Sequence, residues 1–167
     1  MTCENNNVLP KRKPNRLNGY DYSSCGAYFI TICTQDKKKL FWNNVGAPIG
    51  RPDGGRIVLS DYGLIAEEAI NNINRIYPMI SVDKYVVMPN HIHMIVSINA
   101  DAGGRPMGAP TISTVINQMK GYVTKKIGFP VWQKLYHDHV IRGQQDYDEI
   151  WQYIDENPLR WDSDCYN

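Results

Sequence analysis

The segment VVMPNHIHMIV, residues 86 to 96, places two histidines one residue apart in an otherwise apolar stretch. In a β-strand, residues i and i+2 point to the same face, so His91 and His93 share a face that continues through Ile95. Two adjacent imidazoles can hold one divalent metal ion, and a third ligand must then come from another element. Two histidines on a half-exposed sheet face, without a metal, fit this motif equally well.

A second pair of the same spacing, His137 and His139, lies in LYHDHVIR. A single site with four histidines is uncommon for zinc, and a catalytic metal centre needs an open coordination position. We therefore expect His139 to lie near the site and His137 to lie on the surface.

The last helical segment, QQDYDEIWQYIDENP, has an apolar stripe at helical spacing made of Tyr147, Ile150, Trp151 and Ile154. At about 100° per residue, Tyr153 lies roughly 110° from the centre of that stripe, and Asn157 lies on the same flank one turn later. The pattern predicts Tyr147 in the core, with Tyr153 and Asn157 projecting together. A half-buried helix tyrosine without chemistry is the commoner outcome of such a pattern.

A phenol and a carboxamide on adjacent turns could serve one metal-bound phosphate, the phenol as nucleophile and the amide oxygen as third ligand. Tyrosine has a pKa of about 10, well below that of an alkyl alcohol, so a phosphotyrosine bond is a good leaving bond. A returning 3′-hydroxyl can then reverse the attack without a new energy source. This chemistry is typical of an enzyme that nicks and rejoins a nucleic-acid strand.

The order of elements that must position these residues predicts a ferredoxin-like α+β fold. Strands are expected at 27–34, 82–88, 91–98 and 138–142, and helices at 61–77 after Ser60, from Thr111 to Gly128, and from 144 to near Pro158. The β-α-β-β-α-β order predicts an antiparallel sheet with two helices on one face. An extra C-terminal catalytic helix is expected to cover part of the other face.

The composition fits one globular domain, because 43% of the 167 residues are hydrophobic and 21% are charged. We expect a basic arm at 1–26 and a single domain at 27–167, with Gly/Pro-rich loops at 43–57 and 99–110. No apolar run is long enough to cross a membrane, and the polar N-terminus has no signal-peptide core. Four scattered cysteines indicate reduced thiols, so we expect a cytoplasmic protein.

Four motifs in the same order, NRLNGYDYSSCGAYFITICT, VVMPNHIHMIV, VWQKLYHDHVIR and YIDENPLRW, resemble those of the REP-associated tyrosine transposases. These proteins belong to the single-tyrosine, insertion-sequence-type transposases of the HUH endonuclease superfamily. The resemblance runs from about Arg16 to Trp161. The two Gly/Pro-rich loops and the arm before Arg16 have no counterpart in it.

The resemblance implies a DNA transposase that acts as a metal-dependent single-strand DNA endonuclease and strand transferase. His91 and His93 would be the paired metal ligands, Asn157 the third ligand, and the metal Mg²⁺ or Mn²⁺. Tyr153 would form a 5′-phosphotyrosine link to one DNA strand and free a 3′-hydroxyl. The substrate would be single-stranded DNA folded into a hairpin, as at palindromic repeats, so the protein would associate with the nucleoid when bound to DNA.

Several basic side chains are candidates for DNA-phosphate contacts: Arg12, Lys13, Arg16, Lys120 and Arg142. The aromatic residues Tyr20, Tyr22 and Trp132 are candidates for stacking on unpaired bases, although core packing fits Trp132 equally well. A further basic cluster, Lys37 to Lys39, suits either phosphate contacts or a solvated surface. A homodimer and a monomer both fit the sequence.

Two other functions remain open at this point. A catalytically inactive nucleic-acid-binding protein would bind DNA without a covalent product. A metal-water hydrolase would use the histidines and be indifferent to Tyr153.

Overall fold

The computed structural model of the chain describes residues 20–21, 24–43, 58–99 and 110–163. Its strands are β1 (Gly26–Cys33), β2 (Ile80–Val87), β3 (His91–Ile98) and β4 (His137–Val140), and its helices are α1 (Asp61–Ile76), α2 (Ile112–Ile127) and α3 (Gln144–Glu156). Two short 3₁₀ helices follow β1 and α3, at Gln35–Lys37 and Asn157–Ser163. The predicted order of elements is confirmed; the limits of β3 are those predicted, and the limits of the other three strands differ by one or two residues.

The four strands form one antiparallel sheet in the order β2-β3-β1-β4, which confirms the ferredoxin-like α+β class. Strand β3 is an inner strand, paired with β2 on one side and with β1 on the other. Its register with β1 sets Thr31 opposite His93 and Cys33 opposite His91. The histidine pair therefore lies on an inner strand, at the end where β3 begins and β1 ends.

The main core lies on the face of the sheet that α1 and α2 cover. Strand β3 alternates as period-2 patterning requires, so its even-numbered residues enter this core while the histidines point to the other face. The buried cluster includes Ile30, Ile32, Ala66, Ile70, Ile73, Ile92, Met94, Val96, Ile98, Val115, Ile116, Met119 and Val123.

The ends of α1 and α2 are formed by the residues that the sequence predicts. Ser60 and Thr111 each accept a hydrogen bond from a backbone N–H three residues later, which satisfies one donor of the first helical turn. Gly128 ends α2 with φ 91°, a left-handed conformation that glycine adopts without steric cost.

Helix α3 packs against β2 and β3 on the opposite face from α1 and α2. The apolar stripe of α3 is less buried than predicted. Ile154 is fully covered, whereas Tyr147, Ile150 and Trp151 are half-buried. Tyr147, predicted as core, is half-buried, and its hydroxyl donates a hydrogen bond to Asp83. Burial and the nearby Asp83 carboxylate raise the pKa of Tyr147 to about 12.

A β-bulge in β2 provides the polar anchors of α3. The pairing of β2 with β3 skips Asp83, so that Lys84 lies opposite Ile95 on the histidine face of the sheet. Asp83 bonds to Tyr147, while Lys84 forms an ion pair with Asp155. The Lys84 ammonium also lies 4.9 Å from the centroid of the Trp151 ring. Two consecutive charged residues thus both hold the same helix.

The division into arm, domain and loops stays a prediction. Most of the arm at 1–26 and all but the ends of the loops at 43–57 and 99–110 lie outside the described residues. Across the ranges that the structure describes, no helix is long and apolar enough to span a bilayer.

Two glycines give a matched test of the packing around α1. A Cβ at Gly63 would lie 2.2 Å from the carbonyl oxygen of Phe41, whereas a Cβ at Gly121 of α2 would meet nothing within 4 Å. We expect Gly63→Ala to lower the free energy of unfolding by about 1–3 kcal/mol or more, because backbone must move. Gly121→Ala should raise it by about 0.5–1 kcal/mol. Urea denaturation measures both, and equal effects of the two changes would contradict this packing.

Candidate active site

The two histidines of β3 are buried between the sheet and α3. His91 is 0% exposed and His93 1% exposed, and their ring centroids are 4.5 Å apart. Their shared face agrees with the strand alternation that the sequence predicts. An imidazole removed from water needs hydrogen-bond partners for its nitrogen atoms, so the neighbours of each ring determine what the ring can do.

Asn90 determines the protonation of His91. Its side-chain Oδ1 lies 2.8 Å from Nδ1 of His91, and its Nδ2 donates to the carbonyl oxygen of Lys37. Because the amide oxygen can only accept, Nδ1 of His91 carries the proton in this arrangement. In the neutral ring, the Nε2 atom then carries the lone pair that a metal ion requires.

Thr31 and Phe29 hold His93 from the neighbouring strand β1. The Thr31 hydroxyl lies 2.8 Å from Nδ1 of His93, and the Phe29 ring stacks on the imidazole with centroids 5.2 Å apart. Burial, and secondarily the adjacent His91, hold the pKa of His93 well below its ordinary value of 6.5. His93 is therefore neutral at physiological pH, the form that binds a metal.

Tyr153 reaches the histidine pair from α3. Its hydroxyl lies 3.4 Å from Nε2 of His93, and its ring packs edge-on against Phe29 at 6.0 Å and beside His93 at 5.3 Å. The residue is 38% exposed although His93 is buried. The phenol thus stands at the boundary between the buried imidazoles and solvent, where a substrate can approach it.

Asn157 lies at the end of α3 and is 3% exposed. Within the described part of the chain, its Oδ1 atom is buried and accepts no hydrogen bond. The residues four positions before and after it both contact the histidines: Tyr153 meets His93, and the Trp161 ring lies 6.1 Å from that of His91. Such a buried amide oxygen is costly unless a ligand engages it.

The types of these side-chain atoms suit a divalent metal ion. Among the described residues, no group of three His, Cys, Asp or Glu side chains could hold one. Asn157 Oδ1 is an oxygen ligand of the kind that Mg²⁺ and Mn²⁺ accept, and imidazole nitrogens are common ligands of divalent first-row transition metals. The assignment of His91, His93 and Asn157 as ligands stays a prediction.

The second histidine pair is not part of this cluster. His137 is exposed, as expected, and His139 lies in β4 with its Nε2 atom 2.9 Å from a carboxylate oxygen of Asp146. The backbone N–H of Arg142 and the His139 side chain together lower the pKa of Asp146. His139 therefore joins β4 to the first turn of α3.

The predicted DNA contacts fall into different environments. Arg142 is exposed just before α3, whereas Arg12, Lys13, Arg16 and Tyr22 lie outside the described residues. Lys120 is buried, and its ammonium donates to the carbonyl oxygens of Gln133 and Lys134. Burial lowers the pKa of Lys120. A phosphate contact at Lys120 stays a prediction. To make that contact, the ammonium would have to leave the two carbonyl oxygens to which it donates.

Two of the three aromatic candidates for base stacking, Trp132 and Tyr20, lie within the described residues, and both make contacts inside the protein. Trp132 is buried against Phe41, and its indole N–H donates to the carbonyl oxygen of Lys120. Tyr20 is half-buried, with its hydroxyl 3.4 Å from that of Tyr28. The core alternative for Trp132 is the one that the structure favours.

Four residues of the site are absent from the sequence-based prediction: Phe29, Thr31, Asn90 and Trp161. Asn90 directly precedes His91 in the chain, and this adjacency is the sequence feature from which its role could be predicted. Thr31 reaches His93 through the pairing of β1 with β3, which strand patterns do not specify. Trp161 lies in a 3₁₀ turn beyond the predicted helix end.

Comparison with known proteins identifies a relative of the whole chain and a solved structure of the same fold. An uncharacterized protein of Haemophilus influenzae is 31% identical, and the alignment covers 98% of this chain and 97% of that protein. The chain belongs to the family of that protein. No protein-family model matches the sequence.

Among solved structures, a REP-associated tyrosine transposase bound to a REP hairpin aligns with a TM-score of 0.58. The alignment covers 85% of this chain and 72% of that one at 22% identity. The chain therefore has the transposase fold, as the four motifs imply.

The low pKa of His93 predicts a pH-dependent stability of the metal-free protein. Between pH 6.5 and the lower folded-state value, the unfolded chain binds a proton that the folded chain excludes. The free energy of unfolding should therefore fall as the pH drops below 6.5, by up to about 1.4 kcal/mol per pH unit. Urea denaturation between pH 8 and pH 5 measures this slope. His93→Gln should flatten it, and an unchanged slope in that variant would contradict the assignment.

Proposed function

We propose that this protein is a metal-dependent single-strand DNA endonuclease and strand transferase of the tyrosine transposase type. The observation that carries the proposal is the position of Tyr153, whose hydroxyl lies 3.4 Å from Nε2 of a buried histidine pair. A phenol that is exposed on one side and lies 3.4 Å from Nε2 of the neutral, buried His93 on the other is suited to attack on a bound phosphodiester. The transposase fold supports the same chemistry.

In the proposed reaction, the phenol oxygen of Tyr153 attacks the phosphorus of the scissile phosphodiester. An oxygen–phosphorus bond to tyrosine forms, and the bond from phosphorus to the 3′-oxygen breaks. The proton lost by the phenol is balanced by the proton gained by the departing 3′-oxygen. The products are a 5′-phosphotyrosine and a free 3′-hydroxyl, and attack by a 3′-hydroxyl on that link rejoins a strand without an external energy source.

His91, His93 and Asn157 would hold the metal, and a bound Mg²⁺ or Mn²⁺ would neutralise charge that develops on the phosphate oxygens. Asn90 keeps the lone pair of His91 on Nε2, and Thr31 holds Nδ1 of His93. The hydrogen bond between Tyr153 and His93 is long and therefore weak, so little interaction energy is lost when Nε2 of His93 binds another partner instead. The hydroxyl of Tyr153 is then available to the substrate.

The proposed partner is single-stranded DNA that folds into a hairpin. The structural neighbour is bound to a REP hairpin, and we extend that partner to this chain together with the predicted phosphate contacts Arg12, Lys13, Arg16, Lys120 and Arg142. The packing of α3 on the sheet of its own chain supports a reaction in which Tyr153 and His93 act from one copy. A homodimer and a cytoplasmic location stay predictions.

The covalent step can be tested with a second tyrosine of the same helix as control. Wild type, Tyr153→Phe and Tyr147→Phe are incubated with Mn²⁺ and labelled hairpin oligonucleotides from the DNA flanking the gene. We expect a denaturation-resistant protein–DNA adduct in wild type and in Tyr147→Phe, whose hydroxyl bonds to Asp83. Tyr153→Phe should lose the adduct at least 1000-fold, about 4 kcal/mol in barrier height, because the nucleophile is gone.

The alternatives predict other results in the same assay. Cleavage that persists in Tyr153→Phe, with no adduct in any sample, would contradict the tyrosine mechanism and favour a metal-bound water. Tight hairpin binding without any product from a pool of flanking sequences would indicate a DNA-binding protein without chemistry.

The ligand set predicts how metal affinity responds to substitution. Asn157→Ala removes a proposed ligand and Asn90→Ala removes the group that orients His91, so each should weaken Mn²⁺ binding by about 10- to 100-fold. Asn117→Ala, at an exposed position of α2, should bind as wild type does. Calorimetric titration of the DNA-free proteins measures the three affinities. Wild-type affinity in Asn157→Ala would remove Asn157 from the ligand set.

A further inference from the structure

The loop Gln35–Lys39, which follows β1, carries a cluster of three lysines that the proposed reaction does not use. All five residues are exposed. Its backbone is left-handed at two consecutive non-glycine residues, Asp36 with φ 55° and Lys37 with φ 53°. Each such residue costs about 1 kcal/mol or more, so the surrounding hydrogen bonds must hold the loop in this shape. They include the bond from the Thr34 hydroxyl to the carbonyl oxygen of Lys38.

This loop contacts both groups that flank His91. The carbonyl oxygen of Lys37 accepts a hydrogen bond from Asn90, and the Asn90 amide in turn engages Nδ1 of His91. At the other end of the loop, the Lys39 ammonium lies 5.3 Å from the centroid of the Trp161 ring, which packs beside His91. The indole therefore holds the charge of Lys39 close to the histidine pair.

We propose that Lys39 binds a backbone phosphate of the DNA strand next to the phosphate that Tyr153 attacks. The inference rests on the proposed function, because that function brings a strand with one negative charge per nucleotide to this site. An exposed ammonium fixed beside the site is suited to an anion, and its place on the indole restricts how far it can move. Lys39 thereby positions the strand, while Tyr153 performs the attack.

A purely structural role for Lys39 is the competing explanation, since an ammonium over an indole also stabilises the fold. The chain offers a matched control in Lys126 of α2, whose ammonium lies 5.6 Å from the centroid of the Tyr122 ring. Both lysines are exposed and both contact an aromatic ring, but α2 covers the opposite face of the sheet. Substitution of either one removes one charge and one cation–π contact.

The test measures equilibrium binding of a fluorescent hairpin oligonucleotide with single-stranded flanks, taken from the DNA beside the gene. All proteins carry Tyr153→Phe, so that no covalent capture occurs. Lys39→Gln should weaken binding about tenfold at low salt. It should also reduce the slope of log K against log salt by about 0.7, the contribution of one phosphate contact on a single strand. The parent protein carries Tyr153→Phe alone. Lys126→Gln should bind the hairpin with the affinity and salt slope of this parent, and Lys39→Arg should retain most of the affinity.

Mn²⁺ titration of the same variants separates a direct contact from an effect on the histidines. We expect Lys39→Gln to bind Mn²⁺ as the parent does. A loss of Mn²⁺ affinity in this variant, or a loss of DNA affinity with an unchanged salt slope, would show an effect through Trp161 and His91 and overturn the proposal.

The remaining outcomes distinguish this inference from the proposed function. If the parent binds the hairpin and wild type forms the adduct, yet Lys39→Gln behaves as Lys126→Gln does, the role of Lys39 is refuted and the proposed function stands. If neither the parent nor wild type binds any flanking DNA, the role of Lys39 and the proposed function are both refuted.

Discussion

Two imidazoles buried on an inner strand of the sheet require neighbouring groups that engage each ring, and the rest of the site meets this requirement. A buried nitrogen without a partner costs about 1–3 kcal/mol, so each ring has to be engaged by neighbours. Asn90 engages His91 from the preceding turn, and Thr31 engages His93 across the β1–β3 pairing. The antiparallel register of these two strands is therefore a requirement of the site as well as of the fold.

Helix α3 completes the burial of the histidines with little apolar contact of its own. Ile154 is fully buried and the Tyr153 ring packs against Phe29, while polar contacts attach the helix through Asp83, Lys84 and the bond between His139 and Asp146. These anchors lie at the two edge strands of the sheet, β2 and β4. They place the helix so that Tyr153 reaches His93 while its ring remains accessible to solvent.

Sequence patterns predicted the elements well where local chemistry decides them. Ser60, Thr111 and Gly128 mark helix ends because capping is a local interaction, and the spacing of His91 and His93 assigns them to one face of a strand. The anchors of α3 could not be predicted in this way. Strict alternation would place Asp83 and Lys84 on opposite faces, and only the bulge brings both to α3.

The candidate site shows the same division between local and long-range chemistry. The flank shared by Tyr153 and Asn157 follows from helical periodicity, so the two were expected together. The contact of Thr31 with His93 and that of Trp161 with His91 join residues that are at least 60 positions apart in the chain. Such contacts depend on strand register and on the path of the chain after α3, which periodicity does not specify.

Peptide mapping of the covalent product tests the central claim most directly. Wild-type protein is incubated with Mn²⁺ and a hairpin oligonucleotide, the DNA is trimmed with nuclease, and the peptides are analysed by fragmentation mass spectrometry. The account predicts one modified residue, Tyr153, carrying a nucleotide through its 5′-phosphate. A nucleotide attached at another residue, or attached through a 3′-phosphate, would contradict it.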